Sequence, residues 1–183
     1  MALEYVRHAD LDYESFRARF PEIMVAVNWK RFRADSWLVR QFRTTSPADM
    51  LDLFTCYRLS FGRVNGHFLH WLFSRNMTVR DVLKRYRRVP QKDRRIIEHF
   101  ADLYGKERQV RLELPTLDLP GQRQFLADGN HRVVALALAD VPFELDLFAI
   151  QAPPTTDSFI DSRKSRDRLF LPLRDSRVPA YRR

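Results

Sequence analysis

Cysteine occurs once in the 183 residues, at position 56, so this chain holds no internal disulfide and no cysteine-rich zinc centre. A single thiol agrees with a reducing compartment, and Cys56 lies in an apolar pattern at helical spacing, which predicts a buried rather than a reactive side chain. Long hydrophobic runs are missing as well. The longest, Val133 to Ala139, is far too short to cross a bilayer. Acidic residues Glu4, Asp10, Asp12 and Glu14 are wrong for a secretory signal. These absences lead to the expectation of a cytoplasmic protein without a membrane anchor. Lysine is also scarce: arginine supplies all but five of the 32 basic side chains.

That arginine excess sits on a formal charge of +9 and a pI near 10.2. Guanidinium groups bind phosphates through two parallel bonds and stack on bases, so nucleic acid is the default partner. A chain of this length, 45% hydrophobic, suits one domain with a substantial core.

Residues 1 to 45 alternate charges with aromatics and predict short helices or strands over a core. Ser46 and Pro47 predict a helix start. Met50, Leu53, Phe54, Tyr57 and Phe61 continue at helical spacing toward a stop at Gly62 or Gly66. Thr78 to Asp81 reads as a capping box opening a helix whose inner face is Val79, Val82, Leu83 and Tyr86. Pro90 breaks it, and a second helix follows with Ile96, Ile97, Phe100, Leu103 and Tyr104 inward and Gly105 as its cap. Residues 110–114, 124–127 and 143–148 read as strands, with a helix over 133–139. The order helix, strand, strand, helix, strand implies a mixed α+β sheet with packed helices. Residues 155–183 form a basic tail with few apolar anchors, partly disordered or wrapped on the domain.

The most informative stretch is Asp128-Gly129-Asn130-His131-Arg132, where a strand runs into a helix. Glycine lets backbone approach a ligand closely. The first helical amides and the dipole attract anions there. His131 and Arg132 add donors, and Asp128 supplies a carboxylate for a metal ion or for base chemistry. Together they read as a phosphate or nucleotide pocket. The alternative is a capped helix, with Asp128 taking the free amides and Arg132 on the surface.

Arg80, Lys84, Arg85, Arg87, Arg88, Lys92, Arg94 and Arg95 crowd sixteen positions opposed by Asp81 and Asp93. Of these, Arg80, Lys84, Arg87, Arg88, Lys92, Arg94 and Arg95 are the candidate DNA-backbone contacts. The alternative is a solvated face paired in part with Glu98 and Asp102. Nuclease chemistry would need carboxylates to hold a metal ion, and Glu98, Asp102, Glu107, Glu113, Asp118 and Asp128 are the candidates. Asp128 is placed best; Glu98 is second, with an ion pair to Arg94 or Arg95 as its other reading. His67 and His70 share a helical spacing and read as packed histidines rather than metal ligands.

Residues from about 91 to 150, and Phe125 to Ala135 in particular, resemble the core of the ParB/sulfiredoxin superfamily, in which a glycine-containing turn ending in arginine leads into a helix. The resemblance implies nucleotide phosphates, ATP by expectation, held by Gly129, Asn130, His131 and Arg132, with Arg132 as the gripping residue. Asp128 would hold Mg²⁺, and Asp128, His131, Arg132 and Glu98 form the candidate catalytic set. Asn130 stands where the sulfinic-acid repair enzymes carry a reactive cysteine, which speaks against that activity. No helix-turn-helix follows the motif, so the chain is not a complete chromosome-partition protein. Size, charge and a late motif are similar to those of plasmid-encoded fertility-inhibition factors. That likeness implies ATP hydrolysis, DNA cleavage and a block on export through a conjugative transfer (type IV secretion) system. The expected architecture is one domain over residues 1–154, its ParB/sulfiredoxin-like core at about 91–150 carrying a helical N-terminal elaboration. A non-catalytic interaction protein and a small-molecule kinase of the same fold are the alternatives.

Overall fold

Three short polar side chains start helices where the chain must turn. Asp12 accepts from the Ser15 amide and opens α1 (Tyr13–Arg19). Ser46 accepts from the Asp49 amide and, with Pro47 behind it, opens α3 (Pro47–Asp52). Thr78 accepts from the Asp81 amide and opens α4 (Val79–Lys84). Each satisfies an amide that has no partner within its helix. The computed structural model describes residues 4–9, 11–21, 23, 27, 29–34, 37–60, 63–65, 75–119 and 123–151. The expectations for the apolar segment 68–73, for His67 and His70, and for the tail 155–183 lie outside the described residues.

Among the described residues one mixed sheet contains eight strands: β1 (Glu4–Ala9), β2 (Leu38–Thr44), β3 (Phe54–Ser60), β4 (Arg63–Asn65), β5 (Arg75–Thr78), β6 (Val110–Leu119), β7 (Arg123–Leu126) and β8 (Phe143–Gln151). Their spatial order is β1-β2-β8-β6-β7-β3-β4, with β5 also on β3. β6 and β8 run parallel, as does the short β3–β7 contact; the other pairings are antiparallel. With α2 (Trp29–Ala34), α5 (Gln91–Tyr104) and α6 (Asn130–Ala139), the protein is mixed α+β.

Side chains alternate across the sheet, so it has two apolar faces. One packs under α1 and α2 through Phe16, Phe20, Phe32 and Trp37 against Phe125, Phe148 and Ile150. The other carries Leu112, Leu114, Leu126, Leu145 and Leu147 against the helices from α3 to α6. α6 is buried along Val133, Val134, Ala135 and Leu136, as expected of a helix apolar on most sides. No helix among the described residues is long and apolar enough to cross a membrane.

Three expectations are corrected. The run from Ser46 is not one helix: α3 stops at Asp52, and Phe54 to Ser60 is a strand. The N-terminal part is not a helical elaboration, since five of its segments are strands of the common sheet. The basic helix ends at Lys84, and a separate 3-10 turn covers Tyr86–Arg88. The order α5, β6, β7, α6, β8 is the one read from the sequence.

Candidate functional site

β7 stays bonded to β6 up to the turn, where the Ala127 amide donates to the Pro115 carbonyl at 2.9 Å. Gly129 then takes φ +78° and serves as the N-cap of α6. That left-handed geometry is open to glycine at little cost. Space also demands it, because a Cβ here would lie 2.4 Å from Cδ2 of Leu114. Glycine offers no side chain to the first amides of α6, and no side-chain cap bonds to them. Asp128 does not cap them either. Its carboxylate instead takes a 3.3 Å hydrogen bond from Nη2 of Arg132. The first amides of α6 are thus left without a side-chain acceptor, the arrangement that binds anions.

The side chains of the turn divide their tasks. Asn130 is 7% exposed, and its Oδ1 accepts from the Cys56 amide at 2.8 Å. It ties α6 to β3, so only its backbone faces the turn as a donor. His131 lies between two groups that sequence reasoning missed. Its Nε2 is 3.4 Å from Oδ1 of Asp93, and its ring meets Tyr57 edge-on at 6.1 Å. Tyr57 is 1% exposed, and its hydroxyl is buried without a hydrogen-bond partner. Burial, then the charge of Asp93, pushes the Tyr57 hydroxyl well above its ordinary range. Burial, then Asp93, also pushes the Cys56 thiol up to about 12, which disfavours the thiolate; Cys56 is half-buried and sits on a strand rather than a helix.

Asp93 therefore orients His131, while Arg132 is held loosely by Asp128. A charge-assisted bond is ordinarily 2.7–2.9 Å long, so one at 3.3 Å is weak and easily exchanged for a phosphate oxygen.

The other predicted residues lie elsewhere. Glu98 is exposed and accepts from the Tyr86 hydroxyl at 3.2 Å; among the described residues no contact joins it to the turn, and no ion pair joins it to Arg94 or Arg95. Glu113 pairs with Arg19, and Asp118 takes a bond from Gln124. Asp102 and Glu107 are exposed. The nuclease candidates thus do not converge, and among the described residues no group of three metal-ligating side chains occurs. Lys84, Arg87, Arg88, Lys92 and Arg95 are exposed along α4, the 3-10 turn and α5, with Arg94 half-buried. Arg80 is paired with Asp52 at 3.1 Å and Arg85 with Asp81 at 3.7 Å.

A second polar cluster was also missed. Asp146, with no exposed side-chain surface, accepts from Gln41 at 3.0 Å, Arg43 at 2.9 Å and Arg111 at 2.7 Å. In sequence it alternates like a solvent-facing charge in Phe143 to Phe148, and nothing local distinguishes it. Asp93 gave no signal either, since it reads as one acidic residue in a basic run. No family model, curated protein or solved structure matches this chain.

Proposed function

We propose that the chain is a nucleotide hydrolase with a ParB/sulfiredoxin-like core, binding ATP at the start of α6 and DNA along its basic helices. The uncapped amides above Gly129, beside His131 and Arg132, carry this reading. A phosphate arriving there would meet the amides, displace Asp128 from Arg132 and take both guanidinium bonds. Asp128, once released, is the carboxylate placed for Mg²⁺, which commonly binds through one carboxylate together with substrate phosphates. The ion would neutralise phosphate charge. Asp93 would keep His131 oriented toward the transferring group. Biologically, the nucleotide and DNA activities together would serve to block DNA export by a conjugative system, in the cytoplasm of the host cell.

Mg²⁺-dependent phosphate release from ATP, measured with and without DNA, tests this. Arg132→Ala should lose about a hundredfold in turnover, and Asp128→Ala should lose activity too, both with unchanged circular dichroism. Absence of turnover by the wild type under every condition sinks the hydrolase reading. The mutual pairing of Asp128 and Arg132 favours one rival, a non-catalytic protein that blocks the transfer machinery by contact alone. In that case inhibition of transfer survives Arg132→Ala. The related kinase reading would show phosphate on a defined acceptor and no response to DNA.

The basic surface makes a separate prediction. If Lys84, Arg87, Lys92 and Arg95 each neutralise a phosphate, a plot of log affinity for duplex DNA against log salt should have a slope of about −3.6, about −0.9 per contact. Replacing all four by glutamine should flatten it and weaken binding to every sequence equally. A slope near zero in the wild type removes this face as the DNA contact.

A further inference from the structure

α1 and α2 lie on the face of the sheet opposite to α4 and α5, with Phe16, Phe20 and Phe32 closing the core beneath them. Two further aromatics, Tyr13 of α1 and Trp29 of α2, stay half-buried at the margin. Their rings meet edge to face, with centroids 5.9 Å apart. Four positions after each comes an arginine, on the same side of its helix. The two arginines cross over. Arg17 of α1 places its guanidinium 4.8 Å from the Trp29 ring centre, and Arg33 of α2 places its own 5.6 Å from that of Tyr13. Contacts of this kind join the two helices. Joining them does not account for the surplus charge around the rings. The described basic side chains of the pair are Arg17, Arg19, Lys30 and Arg33, against Glu14 alone. Glu113 engages Arg19. Glu14 reaches Arg33 at 3.3 Å, but the two side chains are 68% and 72% exposed, so water screens the pair. Arg17 and Lys30 have no ion pair among the described residues.

We propose that this clasp is a binding surface for single-stranded DNA, on which unpaired bases stack against Arg33 and Arg17 while Lys30 takes a phosphate. A guanidinium resting on a ring keeps a second plane for another π system, and its N–H groups still reach phosphate oxygens. Unpaired bases offer that plane, and their backbone offers the anions. In a duplex the base faces are already stacked on one another, so only the backbone would be used. An acidic peptide would match the charge and leave the guanidinium planes idle. The surface is open to solvent at Arg33, Lys30 and, in part, Arg17. It is separate from the duplex contacts on α4 and α5 and does not depend on the phosphate reading of the turn at Gly129.

Fluorescence anisotropy of a labelled oligothymidylate with the full chain tests the assignment. An abasic strand of the same length and charge should bind about tenfold or more weaker, because stacking is the part it lacks. Arg17→Lys combined with Arg33→Lys keeps the charge and removes the planes. It should weaken oligothymidylate binding about tenfold and leave duplex binding unchanged. Replacing Lys84, Arg87, Lys92 and Arg95 by glutamine should do the reverse. Equal binding of the abasic strand, wild-type affinity in the double lysine variant, or no oligothymidylate binding by the wild type overturns the proposal. Competition by polyglutamate as strong as by unlabelled oligothymidylate assigns the face to an acidic protein and overturns it too. Should the double lysine variant lose its fold by circular dichroism, Lys30→Gln carries the test. Its log affinity for oligothymidylate should fall less steeply with log salt, by about 0.7 for one phosphate on a single strand, and an unchanged slope removes the surface.

Discussion

Asp146→Asn should destabilise the protein by about 1–3 kcal/mol, the cost of leaving a buried hydrogen-bonding group without its partners. The carboxylate has no exposed surface, and three donors from two neighbouring strands converge on it: Gln41 and Arg43 of β2, and Arg111 of β6. Removing its charge leaves those donors facing an amide that can accept at one atom only. Glu144, which also lies within 3.4 Å of Arg43 and 3.1 Å of Arg111, cannot replace it, because it is already shared by both. The internal control is Glu113→Gln. Its pair with Arg19 is two-fifths exposed on both sides, and such pairs contribute under about 1 kcal/mol. Urea unfolding monitored by circular dichroism should separate the two variants clearly. Equal midpoints for Asp146→Asn and wild type would show that the cluster adds nothing to stability.

The same residue sets an acid limb. Burial raises the Asp146 carboxyl, but the bonds from Arg43, Arg111 and Gln41 outweigh it and hold the group below the usual carboxylate range. A carboxyl with a lowered folded-state pKa adds stability that is present above its unfolded pKa and lost as pH falls through the folded value. Wild-type stability should therefore drop as pH falls below the ordinary carboxylate range at about pH 4, and Asp146→Asn should drop less there. A parallel fall in both would assign the acid limb to other carboxylates.

What local pattern could and could not reveal follows from burial. The caps at Ser46 and Thr78 were legible because a cap is decided by two or three neighbouring residues. The apolar run of α6 was legible because a helix covered on most sides leaves few polar positions. The strand Phe54–Ser60 was not. Phe54 packs into the core beneath α1 and α2, and Tyr57 into the core on the other face. A strand buried on both faces loses its alternation and cannot be told from a helix by spacing. At the site, Asp128 to Arg132 could be read because the motif is contiguous. Tyr57 and Asp93 join it from 74 and 38 positions before His131, and only the packing of β3 and α5 against α6 brings them there.

Gly129→Ala should cost about 2–5 kcal/mol and weaken any phosphate binding at the turn. Two independent penalties add. A side chain in the left-handed region costs about 1–2 kcal/mol, and forcing a methyl into packed space costs about 1–3 kcal/mol more. Both apply, because φ is +78° and the added carbon would lie 2.4 Å from Leu114 Cδ2. Leu114 is fully buried beneath α6, so either its side chain must turn within a packed core or the helix start must move away from the sheet. Movement of the helix would stretch the bond from the Cys56 amide to Asn130 and carry His131 off Asp93. Asparagine, which tolerates the backbone angle better than alanine, still carries the offending Cβ and should recover little. The contact can be isolated with Leu114→Ala. Alone it should cost about 2–5 kcal/mol as a core truncation. Combined with Gly129→Ala it should cost about 1–2 kcal/mol less than the sum, because the methyl then enters the space that the leucine vacated. Strict additivity of the two changes, or a cost of Gly129→Ala below about 0.5 kcal/mol, would mean that β6 does not press on the turn as closely as a phosphate cradle at this position requires.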